Sequence, residues 1–397
     1  MNDANRRPSL DPFTVDNDTL MAATADWGVV HGPIGPAILR YSDVAALAID
    51  VRLQGPELRF LEAQGISTGP IFRRMSGMFI EGDNHRRLRS LVVRAFTPRA
   101  VESVREITRR HFAAIVDDVI DEGGCEAVSR LCDPLPVPVI AQLIGVPEVR
   151  WEDMSRWAAD FSLAVGMQVG RYQDQIETSI LEMDEYLLSA IAERRQHPGT
   201  DLLSELLRVE AEGDRLSTEE LINTVFMLLV GGTDTTRNQL GLLLDTFCEY
   251  PDQWALLGQR PDLVPSAVAE VLRWVPAAPG FPRVTLDPLN ICGVQIDAGA
   301  MVVLVSRSAN RDPSGLDGAA EFDIRRQPPR NWHSMTFGAG AHYCLGASLA
   351  TLELQEALAE LTKRISGLSS AGESERLSAA TPLDGFTRLP LQWTARR

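Results

Sequence analysis

Apolar positions recur with helical spacing almost without interruption from residue 84 to residue 273. Pro98, Pro134, Pro136, Pro147, Pro198, Pro251 and Pro261 mark the breaks. The flanks behave differently. Residues 27–41, WGVVHGPIGPAILRY, read as two short strands around a Gly-Pro turn, and Ser42-Asp43 then caps a short helix over 44–47. After Pro276 the pattern alternates between Gly turns, so 289–305 reads as strands. A last helix is expected over 345–365, and short strand-like pieces over 380–394. This pattern predicts a mainly α fold with small β-sheets near the two ends, in one domain spanning 1–397. The βαβ alternation of a doubly wound sheet is absent.

Charge narrows the partners. The 397 residues carry a formal net charge of −16, and Lys363 is the one lysine among 38 basic residues. Nucleic acid and anionic membrane repel such a chain, so neither is expected as a partner. Five cysteines (Cys125, Cys132, Cys248, Cys292, Cys344) form no CxxC pair, which argues for a reducing compartment and against a disulfide framework. The opening MNDANRRPSLDPF lacks an apolar signal region, and no window approaches the ~20 apolar residues of a membrane span. A cytoplasmic monomer is expected.

One predicted helix departs from helix rules. Ser217 and Glu220 form a capping box, and the helix can run over 217–250, about 50 Å. Residues 225–230 are apolar on every face, which implies burial. Gly231, Gly232, Thr233, Asp234, Thr235 and Thr236 follow at once. Interior glycines cost about 1 kcal/mol each, and a buried carboxylate costs more unless paired. One reading is a tight helix crossing with Asp234 turned to water. The other, which we favour, is that a flat, bulky group approaches the glycines while the Asp-Thr pair bonds a polar ligand.

The stretch from His333 to Gly346, HSMTFGAGAHYCLG, is the most informative. Phe337-Gly338-Ala339-Gly340 forms a loop whose backbone a partner can approach closely. Cys344 falls at the start of the last helix, where the helix dipole favours a thiolate. His342 is badly placed to serve it as a base, no zinc-ligand spacing surrounds it, and no phosphate-loop lysine follows. A single soft ligand to a metal otherwise held by a cofactor remains, and haem iron fits.

The stretch resembles the haem-ligand signature of cytochromes P450, F-G-x-G-x-H/R-x-C-x-G, with Cys344 at the position of the proximal thiolate. Three further motifs follow the family's order. Gly231–Thr236 is similar to the oxygen-binding A/G-G-x-D/E-T-T segment, Glu270 and Arg273 match E-x-x-R, and Asn310-Arg311-Asp312-Pro313 resembles N-R-D-P. The resemblance implies the P450 fold, a triangular helical prism around the 217–250 helix. It also implies haem b, O2 as co-substrate, and NAD(P)H electrons delivered by a ferredoxin (or flavodoxin) and its reductase.

Residue roles follow from the resemblance. Thr235 would hydrogen-bond the dioxygen and Asp234 would relay protons to it. Peroxide-using members usually lack this pair, so a dioxygen monooxygenase is expected over a peroxygenase or a non-catalytic haem sensor. Glu270 and Arg273, which by spacing alone could be a surface ion pair, would instead brace the haem loop. His85 and Arg89, sharing a face with Val92 and Phe96, match propionate ligands, as do Arg283 and His342, the latter standing where many relatives have arginine. Phe337, Gly338, Gly340, Gly346 and Gly231 would pack against the cofactor. Gly231 replaces the commoner alanine, and Asp83-Asn84 replaces a frequent Pro-x. Arginines 86, 87, 94, 99, 105, 109 and 110 form the basic part of the chain, read either as a ferredoxin-docking face or as a solvated helix face.

Substrate-determining segments in this family correspond here to GPIFRRMSGMFIEG, FSLAVGMQVG, 277–281 and 383–386. They are apolar and rich in Met and Gly, which suits a hydrophobic terpenoid, steroid, fatty acid or macrolide precursor. Met78, Phe79, Val230, Ala278, Phe281 and Phe386 are the candidate pocket residues. Arg73 and Arg74 are expected in solvent, with a role on a substrate carboxylate as the alternative.

Overall fold

The computed structural model describes residues 7–56, 58–165, 169–211, 216–378 and 381–396. Residues 166–168 of the FSLAVGMQVG segment and residue 380 of the expected tail strands therefore lie outside the described residues. Among the described residues the strands are, in chain order, β1 (Val29–Gly32), β2 (Gly35–Ile38), β3 (Leu53–Gln54), β4 (Gly124–Glu126), β5 (Phe281–Thr285), β6 (Leu289–Ile291), β7 (Val294–Ile296), β8 (Met301–Leu304), β9 (Ile365–Ser370), β10 (Glu375–Arg376), β11 (Phe386–Arg388) and β12 (Pro390–Ala395). The helices that carry the site are α1 (Tyr41–Leu47), α2 (Gly69–Met78), α3 (Gly82–Ala95), α4 (Pro136–Ile144), α5 (Trp151–Ser162), α6 (Gln173–Gln196), α7 (Thr218–Glu249), α8 (Val264–Trp274) and α9 (Ala347–Arg364).

The chain forms two compact units. The first comprises the stretch up to Pro56, Leu242–Cys344 and Glu375–Thr387. Its centre is a five-stranded sheet in the order β1-β2-β8-β5-β3, antiparallel throughout except for the parallel β2–β8 pair. Val29, Ile38, Val302 and Leu304 pack on one side with Val44 and Leu47 of α1, while Val30, Ala37, Leu39 and Val303 pack with Leu20 on the other. That two-sided burial is what the alternating sequence supplies. The predicted hairpin over 27–41 is β1–β2, and the 289–305 strands are β6, β7 and β8. The cap of α1 differs from expectation. Arg40 occupies the N-cap, and Ser42 and Asp43 fall inside the first turn. The Tyr41 N–H donates instead to Asp312 Oδ2 at 2.9 Å, so a distant carboxylate does the capping.

The second unit holds most of the helices and the sheet β4-β12-β9. Residues 124–126 interrupt a stretch read as helical. Gly123 has φ +71°, and a Cβ on Gly124 would sit 2.5 Å from the Leu391 carbonyl oxygen. The two glycines thus permit β4 to lie against β12, which local helical periodicity cannot reveal. α7 spans 32 residues. Its capping box forms in both directions: Glu220 N–H donates to Ser217 Oγ at 3.2 Å, and Ser217 N–H to Glu220 Oε2 at 2.7 Å. α9 starts at Ala347 rather than 345, because Gly346 is its N-cap. Its last expected residue, Ile365, opens β9.

Candidate functional site

Within the second unit the middle of α7 gathers the polar candidates. Its two glycines do different work. A Cβ on Gly232 would lie 2.8 Å from Ile140 Cδ1 of α4, which is the tight helix crossing. A Cβ on Gly231 would meet nothing within 4 Å, and this residue is exposed in mid-helix.

Asp234 and Thr235 are both half-buried. Thr235 donates its hydroxyl to the Gly231 carbonyl at 2.6 Å. Asp234 accepts a hydrogen bond on Oδ2 from Ser162, the last residue of α5. Arg237, one turn along α7, pairs with Asp133 at 3.2 Å rather than with Asp234. Burial pushes the Asp133 carboxyl above its ordinary range; Arg237 opposes the shift and Asp234 adds to it.

His85 and Arg89 lie half-buried on α3, above the buried Val92 and Phe96. Arg87 pairs with Glu220 of α7, and Arg86 with Asp83 on its own helix. Val230 is buried, while Met78 and Phe79 are half-buried at the end of α2.

Arg74 overturns its expectation. It is fully buried and bonded to Asp184, Glu219 and Asn223, so it is neither in solvent nor available to a substrate carboxylate. Arg73 is half-exposed and shares Asp184 at 2.7 Å. The sequence places both arginines near no acid, and the neutralising partners come from α6 and α7.

In the first unit the loop before Cys344 is braced from three directions. Asn310 Oδ1 accepts from Met335 N–H at 2.7 Å, and Asn310 Nδ2 donates to Thr336 Oγ1 at 2.9 Å. Thr336 in turn donates to the Leu272 carbonyl at 2.6 Å. Tyr41 stacks on Trp332, and its hydroxyl lies 3.2 Å from both the N–H and the carbonyl of His333. Gly338 and Gly340 have φ of +67° and +66°, and a Cβ on Gly340 would also press on Ile49 at 3.1 Å. The turn closes as Cys344 N–H donates to the Phe337 carbonyl at 2.9 Å. Cys344 is exposed and in no disulfide; His342 beside it is half-buried.

Glu270 and Arg273 are buried, not a surface pair. Arg273 meets the carboxylate with two nitrogens, at 2.8 and 2.7 Å, and donates to the carbonyls of Asn310, Ala319 and Glu321. Arg326 shares Glu270. Arg283 lies on β5, its guanidinium 5.0 Å from the centre of the half-buried Phe281 ring. Ala278 is half-buried, and its carbonyl accepts from Ser306. Phe386 is buried, with Arg376 4.8 Å over its ring.

Sequence reasoning missed Ser162, Tyr41 and the individual roles of Asn310 and Asp312. The first two carry no local signal, because each partner lies far along the chain. Among the described residues no group of three His, Cys, Asp or Glu could hold a metal ion, and no helix is long and apolar enough to cross a membrane. A lone exposed thiol on a glycine loop cannot bind a metal by protein ligands alone. It does fit a cofactor that fills the remaining positions itself, as haem does.

The cytochrome P450 family model matches residues 167–392. The chain is 34% identical over 369 residues to luteothin monooxygenase of Streptomyces thioluteus, covering 91% of this chain and 89% of that one. It is 36% identical over 361 residues to nocardicin C N-oxygenase of Nocardia uniformis subsp. tsuyamanensis, covering 90% and 89%. The crystal structure of CalO2 superimposes with a TM-score of 0.88 at 27% identity, over 97% of this chain and 99% of that one. The chain belongs to the cytochrome P450 family and is a monooxygenase that works with haem b, O2 and electrons drawn from NAD(P)H through redox partners.

Proposed function

We propose that this monooxygenase hydroxylates a medium-sized hydrophobic molecule, a terpenoid, steroid, fatty acid or macrolide/polyketide intermediate, with electrons from a ferredoxin or flavodoxin and its reductase. The observation that carries the reading is the Asp234–Thr235 acid–alcohol pair one turn beyond Gly231, where α7 leaves open space. The apolar, Met- and Gly-rich substrate segments support the guest's character.

Cys344 would supply the thiolate to the haem iron, and His85, Arg89, Arg283 and His342 the positive partners of the propionates. Phe337, Gly338, Gly340, Gly346 and Gly231 would let the flat cofactor approach the backbone. Once bound, haem supplies the redox chemistry that activates dioxygen. Thr235 would turn its hydroxyl from the Gly231 carbonyl to orient the co-substrate, and Asp234 would supply protons from its carboxyl oxygen. Glu270 and Arg273 would act on none of these atoms; they keep the cysteine loop in shape.

The test is the visible spectrum of the haem-loaded ferric protein titrated with testosterone, lauric acid, a monoterpene alcohol and 6-deoxyerythronolide B. A shift from low to high spin with one of them identifies the substrate class. A ferrous–CO spectrum without thiolate character would overturn the assignment of Cys344.

A further inference from the structure

Three groups meet at the end of α5. Phe161 is buried against Phe226 of α7, ring centres 4.7 Å apart, and this contact pins the last turn of α5 on α7. The next residue, Ser162, bonds Asp234 Oδ2. Its Oγ also lies 3.2 Å from the Ala158 carbonyl, one turn back. A serine hydroxyl has one proton and two acceptor sites, so it cannot donate to both at once.

That arithmetic defines two states. With Asp234 ionised, Ser162 donates to the carboxylate. With Asp234 protonated, the carboxyl donates to Ser162 Oγ, and the serine proton turns to the Ala158 carbonyl. Both states leave every proton with an acceptor, and neither requires a backbone movement. Among the described residues Asp133 acts electrostatically with Asp234, and it pairs with Arg237 of α7.

We propose that Ser162 is a positioning residue for Asp234, holding the carboxyl in both protonation states and passing it protons from solvent. Ser162 is half-buried, so water reaches it. A hydronium ion gives its proton to Ser162 Oγ as the serine hands its own to Asp234 Oδ2. One O–H bond breaks on the hydronium, one forms on the carboxyl, and the serine is unchanged. Ser162 belongs to the segment read as substrate-determining, so a guest that shifts the end of α5 also changes the supply of protons. The inference rests on the proposed role of Asp234 as proton donor.

The experiment compares wild type with Ser162→Ala, Ser162→Thr, Phe161→Leu and Asp234→Asn. The infrared difference between wild type and Asp234→Asn isolates the Asp234 carboxylate stretch, with no substrate needed. That band should shift in Ser162→Ala and return in Ser162→Thr, while Phe161→Leu, which loosens the turn but retains the hydroxyl, should shift it less than Ser162→Ala. With lauric acid or testosterone, whichever shifts the haem spin state, product per NAD(P)H should fall at least ~5-fold in Ser162→Ala and slow further in deuterated water. A band unmoved in Ser162→Ala, or Ser162→Thr behaving as Ser162→Ala, overturns the inference. If Asp234→Asn loses coupling while Ser162→Ala does not, the serine role fails and the Asp234 role stands. If Asp234→Asn couples like wild type, the Asp234 reading itself fails.

Discussion

Arg74 grips Asp184 with two nitrogens, Nε at 3.0 Å from Oδ1 and Nη2 at 2.6 Å from Oδ2, entirely below the surface. Its remaining Nη1 bonds Glu219 at 2.7 Å and Asn223 at 2.5 Å, so a single guanidinium ties α2 to α6 and α7. Truncation leaves two carboxylates without their main cation. Arg74→Ala should therefore lose about 3 kcal/mol, read from urea unfolding. Arg73→Ala, half-exposed, should lose less than about 1 kcal/mol. Equal losses would mean that burial of the pair is unimportant.

The two glycines of α7 should respond oppositely to alanine. Gly231→Ala adds a methyl that meets no protein atom within 4 Å, so the haem-free protein should gain about 0.5–1 kcal/mol. Gly232→Ala drives its methyl onto Ile140 Cδ1 and should lose about 1 kcal/mol despite the better propensity. Shortening the neighbour with Ile140→Val should recover part of that loss. Thermal midpoints of Gly231→Ala, Gly232→Ala and the Gly232→Ala/Ile140→Val double variant check the order.

Arg273 satisfies Glu270 and three carbonyls at once. Arg273→Leu removes the fork from Glu270 and strands the Asn310 and Ala319 carbonyls in the interior, with Arg326 and the Asp323 N–H left on the carboxylate and Arg326 on the Glu321 carbonyl. A loss of about 3–5 kcal/mol is expected, along with a fall in haem content by pyridine haemochrome assay. Arg273→Lys keeps the charge without the fork and should recover little of either.

Asp245 makes stability depend on pH. Burial pushes its carboxyl up to about 6; Arg376 at 3.5 Å opposes this, and Glu249 and Asp384 reinforce it. A folded-state pKa raised above the unfolded value means that the folded protein holds the proton more tightly. The contribution is thus present at low pH and is lost as pH rises from about 4 through about 6. Asp245→Asn mimics the protonated form. It should exceed wild type in urea stability by roughly 1 kcal/mol at about pH 7.5, after allowing for partial solvent screening, and by less at about pH 5. A constant difference across that range would exclude Asp245 as the titrating group.

The arginine-rich stretch divides by partner. Arg87 is tied to Glu220 of α7, whereas the Arg86 and Arg110 side chains are each 70% exposed. Arg86→Glu with Arg110→Glu should slow reduction by ferredoxin on the order of 10-fold at low salt with stability intact. Arg87→Glu should destabilise the protein as well, because it sets like charge against Glu220. Reduction rates unchanged by the double reversal would assign these arginines to solvent.

How far the sequence could be read depended on how local the cause was. The capping box at Ser217 and Glu220 and the break at Pro251 are both local, so both ends of α7 were legible. β4 was not, because its reason is the Leu391 carbonyl arriving over Gly124 from the far end of the chain. The Cys344 loop was legible from its glycines, which report backbone angles directly. Its bracing by Asn310, Thr336 and Tyr41 was not, because hydrogen-bond partners far apart in sequence leave no periodic trace. Arg74 shows the same limit for charge: α2 carries no acid, and the carboxylates that pair with Arg74 come from other helices.

The cap of α1 carries a consequence for how the protein is made. Tyr41 must wait for Asp312, 271 residues later, before its amide is satisfied, and β2 must wait for β8 before its second edge is paired. At the usual 5–20 residues per second, that interval is on the order of 15–50 s of ribosome time. Throughout it the N-terminal hairpin presents the apolar Ala37 and Ile38 and an unpaired strand edge, which is the form of chain that chaperones hold and aggregates recruit. The yield of soluble protein should therefore be governed by the closing of this sheet.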